Sequence, residues 1–245
     1  MYTFEKGDKR MNNNKNISEE EKEKRWDEIY SNNLCKENIR KQYDGWLESD
    51  ENIIKVLDKC NTTILDLGSG VGIDTLHLIE KGYDVIAADF SSVALEKVKE
   101  NIPEAKILKF NMKNGIPFEK DMFELVIANK SIHYFSKEET EKLILELYRI
   151  IKPSGVLAFI VNSTKDVNFG AGQGKQLEDN FYEVRGTTKR FFDKESLEMF
   201  FDCNYWEFIS MNEKIVEDDR IKTVQLGSNK KNSKKTIWIC VVKKK

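Results

Sequence analysis

The sequence predicts a doubly wound α/β domain with a mostly parallel sheet, and three observations carry that expectation. Short apolar runs alternate with helical patterns from residue 62 to residue 161. Several of these runs, VIAA, LVIA and VLAFIV, lack the polar alternation of a half-exposed strand and so fit strands covered on both faces. Two further strand-like runs close the chain, YWEFISM and KTIWICVV, joined by a polar segment, as an antiparallel hairpin at the sheet edge requires. Seven strands result.

Taken in order, residues 1–17 end in MNNNKN and hold little that could be buried, so they read as a mobile tail. At Ser18, followed by Glu21, a capping box opens an amphipathic helix that carries Trp26, Ile29 and Tyr30 on one face. A second helical stretch over roughly 36–59, with Tyr43, Trp46, Leu47, Ile53, Ile54 and Leu57, completes an N-terminal helical cap of residues 18–60. The core over 62–161 then runs TTILDL, VGIDTLHLIEKG, DVIAADF, SSVALEKVKENI, AKILKF, MFELVIAN, KEETEKLILELYRIIK and GVLAFIV. Pro153-Ser154-Gly155 should end the helix through Lys152 and turn the chain into the fifth strand. Residues 162–192 are too aromatic for a linker and too irregular for a sheet interior, which predicts an insertion covering the strand ends. Its Gly170-Ala171-Gly172-Gln173-Gly174 run follows no buried strand and reads as a hinge or lid, opposite the Trp26 helix. A helix near 193–202 leads to the closing hairpin. A single domain over 18–245 accommodates all of this.

Composition limits the partners. The 245 residues are 40% hydrophobic and 33% charged with a net charge of −2, which suits a buried core and gives no chain-wide basic field for nucleic acid. The one basic cluster, Lys230, Lys231, Lys234 and Lys235 with Lys243–Lys245, reads as a solvated loop and tail. Four scattered cysteines and two histidines follow no metal-ligand spacing, and no apolar run is long enough to span a membrane. These features predict no metal, no membrane partner, and a cytoplasmic protein with reduced thiols.

The chemistry concentrates at LDLGSGVGID, residues 65–74. A dinucleotide fingerprint needs G-x-G-x-x-G, but Ile73 stands where the third glycine belongs, and no Lys-Ser or Lys-Thr closes the loop as a P-loop would require. Asp89, ending the second strand, is placed to accept both hydroxyls of a ribose. Asp66, directly before the glycine turn, disfavours a pyrophosphate and suits a ligand carrying an ammonium or sulfonium cation. S-adenosylmethionine has both cations, a ribose and no phosphate. Asp74 lies in the first helical turn, where the helix dipole already favours a carboxylate.

With ILDLGSGVGIDTLHL, VIAADFS, FELVIANKSIHYF and LYRIIKPSGVLAFI in this order, residues 62–161 resemble the class I S-adenosylmethionine-dependent methyltransferases, whose sheet is Rossmann-like. The WDEIY helix and the tail KRFFDKESLEMFFDCNYWEFISMNE are similar to the tellurite-resistance and thiopurine type of small-molecule methyltransferase. The resemblance implies that Asp66, Gly68, Ser69, Gly70 and Gly72 surround the methionine part of the cofactor, with Asp89 on the ribose and Phe90 beside the adenine. Where such enzymes usually have an acidic residue at the adenine amino group, this sequence has Asn111, with Met112 against the ring. Asn129 would face the methionine moiety and the transferring methyl, and His133 and Tyr134 would stand where an acceptor meets it, His133 as a base. Trp26 and Tyr30 would cover the substrate; Arg185, Lys189 and Arg190, if turned inward, would favour an anionic one. The expected activity is methyl transfer to a small molecule, with S-adenosylhomocysteine as coproduct. Two other classes stay open: an RNA or protein methyltransferase served by the lysine-rich C-terminus, and a dinucleotide-dependent oxidoreductase or nucleotide sensor. The acceptor atom, S, N, O or a chalcogen oxyanion, and the oligomeric state are not written in the motifs.

Overall fold

The computed structural model describes residues 18–31, 34–184, 186–217 and 234–245. The tail expected over 1–17, together with Arg185, Lys230 and Lys231, lies outside the described residues. In chain order the elements are α1 (Glu19–Tyr30), α2 (Lys36–Arg40), α3 (Glu51–Leu57), β1 (Ile64–Leu67), α4 (Ile73–Glu80), β2 (Val85–Asp89), α5 (Ser92–Asn101), β3 (Lys106–Lys109), β4 (Phe123–Asn129), α6 (Lys137–Ile150), β5 (Ile151–Asn162), β6 (Lys175–Glu178), β7 (Phe181–Val184), β8 (Thr187–Arg190), α7 (Lys194–Phe200), β9 (Trp206–Glu217) and β10 (Lys234–Lys244).

Seven strands form one sheet in the order β3-β2-β1-β4-β5-β10-β9. The five from β3 to β5 are parallel, and β10 and β9 complete the sheet antiparallel, as the sequence predicts. Alternate residues of the central strands feed two cores. Leu65, Leu67, Val126, Ala128, Leu157 and Phe159 pack toward α6 and α7, whereas Ile64, Leu125, Ile127, Val156, Ala158 and Ile160 pack toward Trp46, Leu47, Ile53 and Leu57 of the N-terminal cap. Covering on both faces is why these runs carry no polar alternation. The β3 edge instead exposes Lys106 and Lys109, charges that discourage further strand pairing. The strand order reverses between β1 and β4, and in open α/β sheets the carboxyl ends of the strands at such a reversal frame the ligand crevice.

Three expectations are corrected. The second helical stretch is broken into α2, a 3₁₀ turn at Leu47–Ser49 and α3. Gly45, at φ 73°, turns the chain there, the Tyr43 ring stacks on His77 at 3.7 Å, and Asp50 caps α3 by accepting from Asn52 N–H. Helix α6 stops at Ile150, not Lys152, and Pro153-Ser154-Gly155 is a bulge inside β5 with Ser154 at φ 64°. The insertion is more regular than its composition suggests, since β6, β7 and β8 make a separate three-stranded antiparallel sheet. Asn180 at φ 55° and Gly186 at φ 74° lie between its strands. This small sheet is seated at the strand ends: Arg190 N–H donates to His133 O at 2.7 Å, and Thr188 Oγ1 to Tyr134 O at 3.0 Å.

Candidate active site

The glycine loop is stitched to the ends of β2 and β4. Gly68 and Ser69 N–H both donate to Ala88 O, at 2.7 and 3.0 Å, and Gly70 N–H donates to Asp89 Oδ2 at 2.8 Å. The other Asp89 oxygen accepts from Ser91 N–H at 2.9 Å. Gly68, at φ 77°, is required on two counts: a Cβ there would lie 2.2 Å from Ser131 Cβ, and the backbone is left-handed. Ser131 closes the joint by donating its hydroxyl to Leu67 O at 2.6 Å. Gly72 forms the N-cap of α4 with no side chain to cap it, and the Ser69 hydroxyl beside it is buried without a hydrogen-bond partner among the described residues. Asp89 is 9% exposed, and burial raises its pKa against the pull of the backbone N–H groups.

Two acids lie at the foot of the loop. Asp66 is 1% exposed and sits beneath the turn rather than in the crevice, accepting from Thr75 Oγ1 at 2.6 Å. Asp74 is 5% exposed; its Oδ1 accepts from Trp46 Nε1 and its Oδ2 from Asn129 Nδ2, both at 2.9 Å. Burial pushes both carboxyls up, Asp74 to about 6, and the charge of Asp74 adds to the rise at Asp66 as that of Asp44 does at Asp74. The carboxylate also fixes the Asn129 amide. With Nδ2 turned to Asp74, Oδ1 faces away and is buried with no hydrogen-bond partner among the described residues. Asp74, which the helix dipole alone would explain, is thus the acid bonded to the predicted site residue. Sequence reasoning missed Trp46, whose partner is 28 positions away.

Helix α1 lies across the other end of the crevice. Its capping box is present as predicted, and none of its residues is buried. Asn111 Nδ2 donates to Glu19 at 2.7 Å, Glu23 accepts from Ser92 Oγ at 3.0 Å and from Lys109 Nζ at 2.6 Å, and Asp27 accepts from Ser91 Oγ at 2.5 Å. The Tyr30 hydroxyl is 2.9 Å from where a Cβ on Gly70 would stand, and the Met112 methyl is 3.6 Å from the equivalent point on Gly68. Trp26 stacks on Tyr30 at 6.0 Å and meets Tyr134 edge-on at 4.9 Å. Phe90, half-buried after β2, stands between Asp89 and Ser91.

His133 and Tyr134 follow β4, their rings 4.4 Å apart. His133 is 2% exposed with Nδ1 unpartnered. Burial, with Lys189, Lys235 and Lys130 adding to it, holds its pKa well below the usual value, so the ring is neutral at pH 7. Arg190 corrects an expectation. It is 5% exposed and points into the insertion, pairing with Glu178, donating to Phe135 O and Asp179 O at 3.2 Å, and lying over the Phe181 ring at 5.0 Å. Burying a guanidinium requires this full set of partners, and they come from the insertion and from the loop after β4 rather than from a substrate. Of the predicted site residues, Trp26, Tyr30 and Gly70 lie together, Trp26 also meets Tyr134 beside His133, and Asn129 is bonded to Asp74.

The loop region combines left-handed glycines, the buried Asp74 carboxyl, an Asp89 with oxygen lone pairs to spare, and two buried oxygens, Ser69 Oγ and Asn129 Oδ1, without hydrogen-bond partners among the described residues, a set that suits a ribose-bearing cation. A family model described as "Methyltransferase domain" matches residues 64–155. Residues 64–155 thus resemble a methyltransferase domain, and the solved structures that share the fold include S-adenosylmethionine-dependent methyltransferases. Among curated proteins it is similar to an uncharacterised methyltransferase of Synechocystis sp., 30% identical over 97 residues, which is 40% of this chain and 45% of that one. The chain thus spans less than half the length of that relative. Its fold is similar to that of an S-adenosylmethionine-dependent methyltransferase from Anabaena variabilis, with TM-score 0.65 and 18% identity over 93% of this chain and 95% of that one. It is also similar to Burkholderia thailandensis 1,6-didemethyltoxoflavin-N1-methyltransferase, crystallised with S-adenosylhomocysteine, with TM-score 0.58 and 13% identity over 82% and 79% of the two chains.

Proposed function

We propose that this chain transfers a methyl group from S-adenosylmethionine to a small-molecule acceptor by in-line displacement. The observation that carries the reading is the pairing of Asp74 with Asn129 beside the glycine loop. Here a carboxyl disfavoured in its charged form by burial and an amide oxygen without a partner both gain from a bound cation. A pyrophosphate would meet repulsion at the same place.

When bound, S-adenosylmethionine supplies a methyl group already activated by a sulfonium, so the protein's task is to align an acceptor and exclude water. In this reading the loop residues Gly68, Ser69, Gly70 and Gly72, with Asp66 beneath them, hold the methionine part, Asn129 Oδ1 receiving the ammonium. Asp89 takes the ribose hydroxyls, and Phe90, Asn111 and Met112 flank the adenine. An acceptor that arrives protonated needs a base, and in this reading His133, kept neutral with a buried Nδ1 that has no hydrogen-bond partner among the described residues, takes that role beside Tyr134. Trp26 and Tyr30 form the cover. A small acceptor is favoured because α1 from one side and the β6-β7-β8 sheet from the other converge on Tyr134. Among the described residues no helix is long and apolar enough to cross a membrane, and the four cysteines are unpaired. Both features accord with work in the cytoplasm.

Calorimetric titration with S-adenosylmethionine, S-adenosylhomocysteine and NADH tests the reading. Micromolar binding of the first two, lost in Asp89→Ala, with no response to NADH, is the expected result. Binding of NADH alone would overturn it.

A further inference from the structure

Helix α1 is held to the domain largely through acids. Glu19, Glu23, Asp27 and Tyr30 stand at intervals of four, four and three residues, so they share one face of the helix. That face meets the strand ends in order. Glu19 accepts from Asn111 Nδ2 at 2.7 Å just after β3, and Glu23 accepts from Lys109 Nζ at 2.6 Å at the end of β3 and from Ser92 Oγ at 3.0 Å. Asp27 accepts from Ser91 Oγ at 2.5 Å just after β2, and the Tyr30 hydroxyl lies against Gly70 after β1. A helix kept in place for folding alone would lay an apolar stripe on the core, yet no residue of α1 is buried.

The same strand ends carry the proposed cofactor residues, and their order decides which part of the ligand each meets. The sheet runs β3-β2-β1-β4 along this edge. Asn129, bonded to Asp74, ends β4, and Asp89 ends β2 opposite Lys109 of β3. With the methionine part at β1 and β4 and the ribose at Asp89, the base of an extended nucleoside continues past β2 to the turn after β3. Phe110 N–H, donating to Asp89 O at 3.1 Å, ties that turn to the ribose acid.

Both ends of the Asn111 amide are engaged in this turn. Its Oδ1 accepts from Lys113 N–H at 3.0 Å, and its Nδ2 donates to Glu19 Oε2. The amide therefore holds a carboxylate where the base arrives. Partial burial works against the Glu19 charge, but Lys22 Nζ at 2.8 Å, Asn111 and Lys113 Nζ at 3.4 Å outweigh it and hold the carboxyl below its usual range. Glu19 is thus an acceptor only at neutral pH. A carboxylate offers about four lone-pair positions, so these three donors leave room for another. An adenine brings its amino group as that donor, whereas a purine with oxygen at the same carbon would set lone pair against lone pair.

We propose that Glu19, held in place by Asn111, reads the exocyclic amino group of the cofactor's adenine, which makes α1 a specificity-determining part of the site as well as its cover. The inference rests on the methyltransferase reading of the same strand ends. It assigns the discrimination to a residue 92 positions from Asn111, on an element outside the residues 64–155 that the family model matches.

The test is calorimetric titration of the full chain with S-adenosylhomocysteine and with S-inosylhomocysteine, in which oxygen replaces the amino group. The parent should bind the first more tightly by about tenfold or more, and Glu19→Ala should bring the two within about threefold. Glu19→Gln, whose amide can turn either its oxygen or its NH2 to the base, should also lose the preference while keeping affinity for both. Glu23→Ala is the control: it loosens α1 by deleting the bonds to Lys109 and Ser92, and should weaken both ligands alike with the preference intact. If the parent binds both ligands equally, if Glu19→Ala keeps the preference, or if Glu23→Ala erases it as fully, the assignment is overturned and the methyltransferase reading stands. If S-adenosylhomocysteine itself fails to bind the parent, both fall together.

Discussion

Asn129 Nδ2 donates to Asp74 Oδ2 at 2.9 Å, and this bond decides which way the amide of Asn129 points. The oxygen it turns outward is the group we assign to the cofactor's ammonium. Because the Asp74 carboxyl titrates at about 6, cation affinity should depend on pH. Affinity for S-adenosylmethionine should be full above pH 7 and about tenfold weaker at pH 5, where Asp74 is protonated. Asp74→Asn should flatten that profile; calorimetry at the two pH values reads it.

The stability of the ligand-free protein should carry two opposed pH terms. The folded pKa of Asp74 is raised, so the folded state binds its proton more tightly than the unfolded one, and this group favours folding increasingly as pH falls through about 6. His133 works the other way. Its folded pKa is depressed, so its contribution is present above the ordinary histidine value and lost as pH falls below it. Urea melts at pH 7.5 and 5 should show Asp74→Asn losing more stability on acidification than the parent, and His133→Gln losing less.

Gly68→Ala should destabilise by about 2–4 kcal/mol, combining the left-handed backbone penalty with a Cβ forced onto Ser131. Gly70→Ala should cost less, about 1–2 kcal/mol, because the atom it meets is the mobile tip of Tyr30. Thermal melts compare the two.

Arg190→Met should act on folding rather than on the acceptor. It deletes a buried pair with Glu178, two bonds to backbone carbonyls and the contact over Phe181, for about 2–4 kcal/mol. Limited proteolysis within 175–190 should accelerate. An acceptor KM that rises with no loss of stability would contradict this placement.

Helix α1 buries no residue and is held by surface pairs such as Glu23 with Lys109 and by Asp27 on Ser91. Its amides should therefore exchange faster than those of α4 or α6, and faster still at high salt or in Asp27→Ala. Exchange slowed by S-adenosylhomocysteine would mark α1 as a cover that closes on the ligand.

The sheet was legible because burial on both faces leaves continuous apolar runs in β1, β2, β4, β5 and β10, whereas the edge strands β3 and β9 are more exposed. The Ser18–Glu21 capping box was legible because its partners are three residues apart. What escaped depends on distance along the chain. Trp46 and Asp74 meet only through the fold, the strands of the insertion are short and polar, and whether Arg190 faces in or out turns on Glu178 and two carbonyls that no local pattern announces.

The indole of Trp46 has a consequence of a different kind. Its N–H rests on a carboxyl group that changes charge near pH 6, and the residue is only 3% exposed. An indole's emission responds to the electric field across its ring. The protein therefore carries an intrinsic fluorophore wired to its cofactor end, and a shift in tryptophan emission that Trp46→Phe abolishes would report ligand entry optically, with no label and no turnover.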